Sequence, residues 1–145
     1  MVKKIFMLLC AVICAAALCS PAFAEGYYSV ILEDMEGLLT DSQEEGLIEI
    51  MQSTADKIDC NIGVVITSRL GGKTSYNYTF DFLEEHFGAG SSSIVLLLCE
   101  DHINTDWIAT ENRATYLYGS DSDRIFDALY DGLDRFGYYA AIESF

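Results

Sequence analysis

Two kinds of hydrophobic pattern alternate along the chain, and their order predicts a layered domain. Thr40-Asp41-Ser42-Gln43 has the form of a capping box, a hydroxyl three residues before a glutamine. Behind it Leu47, Met51, Ala55 and Ile58 recur at spacings of four, four and three, which is one face of a helix. Asn61 to Thr67 instead carries a β-branched run, Ile62, Val64, Val65 and Ile66, as a parallel strand buried on both faces would. Leu70-Gly71-Gly72 breaks that run, and Tyr76, Phe80, Leu83 and Phe87 mark a second helix ending near Gly88. Ile94 to Cys99 reads as a second buried strand. Thr105 to Thr110, alternating around Trp107 and Ala109, reads as an antiparallel return, and Ala114 to Tyr118 as a further short strand. From Ser122, Ile125, Leu129, Leu133 and Phe136 define a third helix, and Tyr138, Ile142 and Phe145 a fourth. Upstream, Tyr27, Val30 and Leu32 suggest a short strand or extended arm.

Helices alternating with strands in this order predict an α/β fold, a three-layer α/β/α sandwich with a mixed, mainly parallel central sheet. The segment Asn61 to Cys99 is one βαβ crossover, expected to be right-handed. Ligands of such sheets bind beyond the carboxyl ends of the parallel strands. Those ends are Thr67-Ser68-Arg69 and Cys99-Glu100-Asp101-His102.

The N-terminus changes how the rest is counted. Lys3 and Lys4 precede an uncharged apolar run, Ile5 to Leu18, and Pro21 precedes the small residues of Ala22-Phe23-Ala24. This is the form of a cleavable signal peptide, and the run is shorter than the roughly 20 residues a bilayer core needs. The expected organisation is a signal peptide over 1–24 and one domain over 25–145, secreted or held in the cell envelope. Cleavage would remove two of eight basic residues and none of the 23 acidic ones, leaving a formal charge of −17. Such a charge disfavours nucleic acid and anionic membrane and favours divalent cations or basic partners. No transmembrane segment is expected in the mature chain. Cys60 and Cys99 would remain, at opposite ends of neighbouring strands and too far apart to bridge.

Several segments are candidates for chemistry. Gly72-Lys73-Thr74 stands where a phosphate-binding loop would, but Thr67 occupies the position that needs the first glycine, so a plain turn is expected. Glu100, Asp101, Asn104 and Asp106 offer the several oxygen ligands a hard divalent cation wants, or else form a solvated acidic turn. Asp34, before Gly37, is either a ligand or an acceptor for turn amides. His102 stands beside Asp101 and is a candidate general acid or metal ligand, whereas His86 reads as a helix C-terminal histidine. Asp121 and Asp123 read as capping and dipole residues of the third helix. Ser91-Ser92-Ser93 lies away from the expected cleft, and no nucleophile elbow is present.

The order of Asp34-Met35-Glu36-Gly37-Leu38-Leu39-Thr40, the capped helix, strand Gly63 to Thr67, the helix ending Phe87-Gly88, strand Ile94 to Cys99 and the closing Phe136-Gly137-Tyr138-Tyr139-Ala140-Ala141-Ile142 resembles the TPM domain family. That family includes thylakoid lumen acid phosphatases and photosystem II repair proteins. The resemblance implies an α/β/α sandwich, export or membrane association, divalent cation binding and, in some members, acid phosphatase activity. By position Asp34 matches the family's early aspartate, and Glu100 and Asp101 its acidic pair. His102 stands where the family usually has arginine, which takes away a fixed phosphate-gripping charge. Many relatives continue into a membrane helix, so a chain stopping at Phe145 is expected to be a free domain or a fragment.

The combined expectation is a calcium-binding exported domain, with Glu100 and Asp101 as ligands and Asp34 or Asp106 assisting. It would act in envelope protein assembly or quality control through an envelope or membrane protein partner. The alternative is a metal-assisted phosphomonoesterase with Asp101 and His102 as its catalytic pair.

Overall fold

The structure is a computed structural model that describes residues 27–100 and 105–145. The predicted signal peptide and Asp101, His102 and Asn104 lie outside the described residues. Four strands form one sheet in the order β1 (Val30–Asp34), β2 (Asn61–Thr67), β3 (Ser93–Cys99), β4 (Trp107–Glu111). β1, β2 and β3 are parallel, and β4 returns antiparallel along β3. Among the described residues five helices flank the sheet: α1 (Asp41–Ile58), α2 (Ser75–Phe87), α3 (Arg113–Tyr118), α4 (Ser122–Phe136) and α5 (Tyr138–Ser144). The α/β/α sandwich and its mainly parallel sheet are therefore as the sequence predicts. Among the described residues no helix is long and apolar enough to cross a membrane.

The period of two in β2 and β3 divides the core. Ile62, Val64, Ile66, Ile94, Leu96 and Leu98 face Leu47, Met51 and Ala55 of α1 and Leu129, Ala141 and Ile142 of α4 and α5. Val65, Val95 and Leu97 face the other way, onto Phe82 and Leu83 of α2. β1, β2 and β3 advance across the sheet in one direction, yet α1 and α2 lie on opposite faces. The two crossovers therefore have opposite hand, and only one can follow the right-handed preference that the sequence reading applied.

α1 starts at the predicted capping box, where Gln43 Oε1 accepts the Thr40 N–H at 2.9 Å. Ala114 to Tyr118, expected as a strand, is the helix α3 instead. Asn112 at φ 52° turns the chain out of β4, and Ala114, Leu117 and Tyr118 then meet the core at helical spacing while Tyr116 stays exposed. Arg113 anchors this turn, its Nε donating to the Ile58 carbonyl at 2.8 Å. Asp121 is the N-cap residue of α4 but makes no side-chain cap bond; it sits 3.7 Å from Arg124.

α4 and α5 cross closely because Gly132 has no side chain. A Cβ there would lie 2.9 Å from Ala141 Cα and 3.0 Å from Ala141 N. Alanine in a helix ordinarily gains up to about 1 kcal/mol over glycine, but overpacking against backbone costs typically about 1–3 kcal/mol. Gly132→Ala is expected to lower stability by about 1–2 kcal/mol in a urea titration; an unchanged or raised midpoint would mean the helices can separate freely.

Candidate functional site

Parallel pairing brings the carboxyl ends of β1, β2 and β3 to one side, with Asp34 opposite Ile66 and Thr67 opposite Cys99. The chain leaving β1 enters α1 on one face, and the chain leaving β2 enters α2 on the other. Divergence of adjacent connections at strand ends is what opens a ligand crevice in α/β sheets. Here Glu36 spans it. Its Oε1 accepts both the Ser68 N–H at 2.7 Å and the Ser68 hydroxyl at 2.8 Å, and the Met35 N–H donates to the Ile66 carbonyl at 3.0 Å. The backbone donation from Ser68, then its hydroxyl, holds the Glu36 carboxyl below the usual carboxylate range.

Asp34 is committed to the turn that follows it. Oδ1 accepts the Glu36 N–H at 3.1 Å and Oδ2 the Leu39 N–H at 2.7 Å, the turn-amide role raised as one of its two readings. Asp106 ties the return strand to β3, its Oδ1 accepting the Cys99 N–H at 2.7 Å. Its Oδ2 accepts the Tyr130 hydroxyl from α4 at 3.0 Å. Glu100, one residue beyond β3, accepts the Tyr138 hydroxyl from the first position of α5.

Tyr138 packs against the core and Tyr130 stands half-exposed at its rim, and each also donates to a candidate carboxylate. Burial, reinforced by the Asp106 charge and hydrogen bond, pushes the Tyr130 phenol up to about 12. Burial also raises the Tyr138 phenol, followed by the hydrogen bond to Glu100 and the charges of Glu100, Asp106 and Asp34. Three carboxylates from three different segments thus act on one hydroxyl. The signals that could have pointed here are the position of Tyr138 just after Gly137 and of Glu36 two residues after Asp34.

Of the predicted site residues, Glu100 binds the Tyr138 hydroxyl, Asp106 the Tyr130 hydroxyl and Asp34 its own turn; Asp101 and His102 are outside the described residues. Among the described residues no group of three or more His, Cys, Asp or Glu side chains is close enough to hold a metal ion by itself. An apolar cavity of about 110 Å³ opens at the other end of the sheet, lined by Ile50, Met51, Ile58, Ile62, Ile94 and Ile142.

The remaining candidates take structural roles. Thr74 Oγ1 accepts the Asn77 N–H at 3.2 Å as the cap of α2, and Lys73 pairs with Asp81 at 2.7 Å, so Gly72-Lys73-Thr74 is a turn. His86 stacks on Phe82, with centroids 4.2 Å apart, and lies 3.7 Å from Glu33. Cys60 and Cys99 are not bridged, and burial raises the Cys60 thiol.

A sequence profile of the TPM domain matches residues 32–145. The chain belongs to the TPM domain family. Solved structures agree on the fold of this TPM domain. The N-terminal domain of the cg2496 protein from Corynebacterium glutamicum is similar at a TM-score of 0.62 and 17% identity, over 86% of this chain and 78% of that one. An N-terminal domain from P. gingivalis reaches 0.60 at 17% identity, over 83% and 78%. The BA42 protein of the psychrophilic Bizionia argentinensis reaches 0.61 at 11% identity, over 75% and 77%. No curated protein matches the chain.

The phenol–carboxylate bonds carry a pH signature. A phenol whose proton is held more tightly in the folded state stabilises the fold below its unfolded value near 10. That contribution disappears as pH rises through the folded value of about 12. Stability of the TPM domain is therefore expected to fall between pH 10 and about 12, and Tyr130→Phe to flatten that slope. Chemical denaturation across the alkaline range checks it; an identical slope in the variant would remove Tyr130 from the account.

Proposed function

We propose that this exported TPM domain binds a divalent cation, calcium, beyond the carboxyl ends of β1 and β3, and acts through a protein partner in envelope protein assembly or quality control. The observation that carries the reading is that Glu100 and Asp106 both stand at the end of β3, each oriented by a tyrosine hydroxyl. Carboxylate oxygens are the donors that calcium prefers. Each carboxylate has about four acceptor positions, so the hydrogen bonds already made leave room for a cation. Glu100 is the freest of the three, since both oxygens of Asp34 and both of Asp106 already accept hydrogen bonds. Asp101, next in sequence to Glu100, would complete the set. Bound calcium would neutralise the clustered negative charge; the phenols of Tyr130 and Tyr138 would keep the two carboxylates oriented. The net charge of the chain supports cation binding in the same sense.

Calorimetric titration of the protein with calcium is expected to give a dissociation constant of about 10⁻⁴–10⁻³ M, the range of extracellular modules. Glu100→Gln and Asp106→Asn should each weaken it about tenfold or more. Absence of heat and of any rise in melting temperature up to millimolar calcium would refute the cation reading.

A further inference from the structure

The carboxyl ends of the strands carry acids, whereas their amino ends carry a hollow. Ile62 and Ile94 lie opposite each other at the start of β2 and β3. With Met51 of α1 and Ile142 of α5 they form the buried floor of the cavity of about 110 Å³. Ile50 and Ile58, half-buried on α1, stand at its rim. α5 is seated on α1 at Gly46, where a Cβ would lie 3.5 Å from the Tyr139 hydroxyl, and on α4 at Gly132, where a Cβ would lie 2.9 Å from Ala141. Held on both neighbours in its first half, α5 leaves the space under Ile142 unfilled. Aliphatic cavities stay dry, and one of ~150 Å³ is large enough to take benzene. The wall of this one also includes the hydroxyls of Thr54 and Tyr118 and the exposed carboxylate of Glu143. Among the described residues these three side chains make no hydrogen bond or ion pair. An apolar hollow with a few convergent polar groups has the form of a small-molecule site.

We infer that this cavity binds a short primary alkylamine, with a chain of about five carbons in the hollow and the ammonium at Glu143. The aliphatic wall recovers from an alkyl chain the dispersion contacts that an empty hollow forgoes. An ammonium carries donors and no acceptor, which matches two hydroxyl oxygens and a carboxylate. A carboxylate head group would instead meet Glu143 in a chain of formal charge −15. Arg113, which reaches Ile58 from α3, is already held by the Ile58 carbonyl and by Asp59. The site uses none of the acids at the other end of the sheet, so it goes beyond the cation reading and does not depend on it.

The test follows the isoleucine methyl signals of the whole protein by NMR, in chelator, during titration with n-pentylamine, 1-pentanol and pentanoate. Pentylamine is expected to shift the methyls of Ile62, Ile94 and Ile142 and to saturate in the millimolar range. Pentanol should bind more weakly, and pentanoate weaker than the amine by about tenfold or more. Ile50→Trp, which fills the hollow from its rim, should abolish the response while leaving the melting temperature equal or higher. Glu143→Gln, at an exposed position, should weaken pentylamine about threefold and leave pentanol unchanged. No methyl response at tens of millimolar amine, shifts centred elsewhere, pentanoate binding as tightly as pentylamine, or a glutamine variant that holds the amine undiminished would each overturn the inference. Because calcium is absent, such a result would leave the cation reading to its own titration.

Discussion

The parallel register of β2 on β3, from Asn61 opposite Ser93 to Thr67 opposite Cys99, determines where every other part of the domain can lie. Both strands are buried on both faces, with Val64, Val65, Val95, Leu96 and Leu97 fully excluded from water. Each such side chain contributes roughly 1.5–3 kcal/mol of burial free energy, and a slip of one residue would exchange the two faces. The register is therefore fixed by packing. Since it is fixed, the two strands end level with each other, and the turns carrying Ser68 and Glu100 have to emerge side by side.

What gathers at that level is negative charge held by neutral donors. Asp34 is satisfied by backbone amides, Glu36 by Ser68, Asp106 by Cys99 and Tyr130, and Glu100 by Tyr138. Hydrogen bonds of this kind let carboxylates crowd at the strand ends, and the charge of Arg69 adds to the donors that hold Glu36 ionised.

Much of this was legible in the sequence, for reasons that can be named. The β-branched run of β2 and the four-residue spacing of Leu47, Met51 and Ala55 are strong periodic signals, and the structure realises both. Ala114–Tyr118 was misread because tyrosines two apart imitate a strand; the helix follows from tertiary contact, with Arg113 tied to Ile58 and Ala114 in the core. Which face each connecting helix takes was not legible, since hydrophobic runs buried on both faces give no sign of it. For the site, Asp34, Glu100 and Asp106 stood out as acids near turns. Their partners did not, because Tyr130 and Tyr138 reach them across 24 and 38 residues of chain.

The close crossing at Gly132 gives these distant tyrosines a mechanical character. Tyr130 lies on one helix of the crossed pair and Tyr138 on the other, and the backbone of Ala141 bears directly on Gly132. Two helices seated that tightly move as a single body, so the pair works like a hinged bracket pinned at the strand ends by two hydroxyls. Loss of the bond to Glu100 or Asp106 would be felt as a tilt of the whole bracket rather than as the loosening of one side chain.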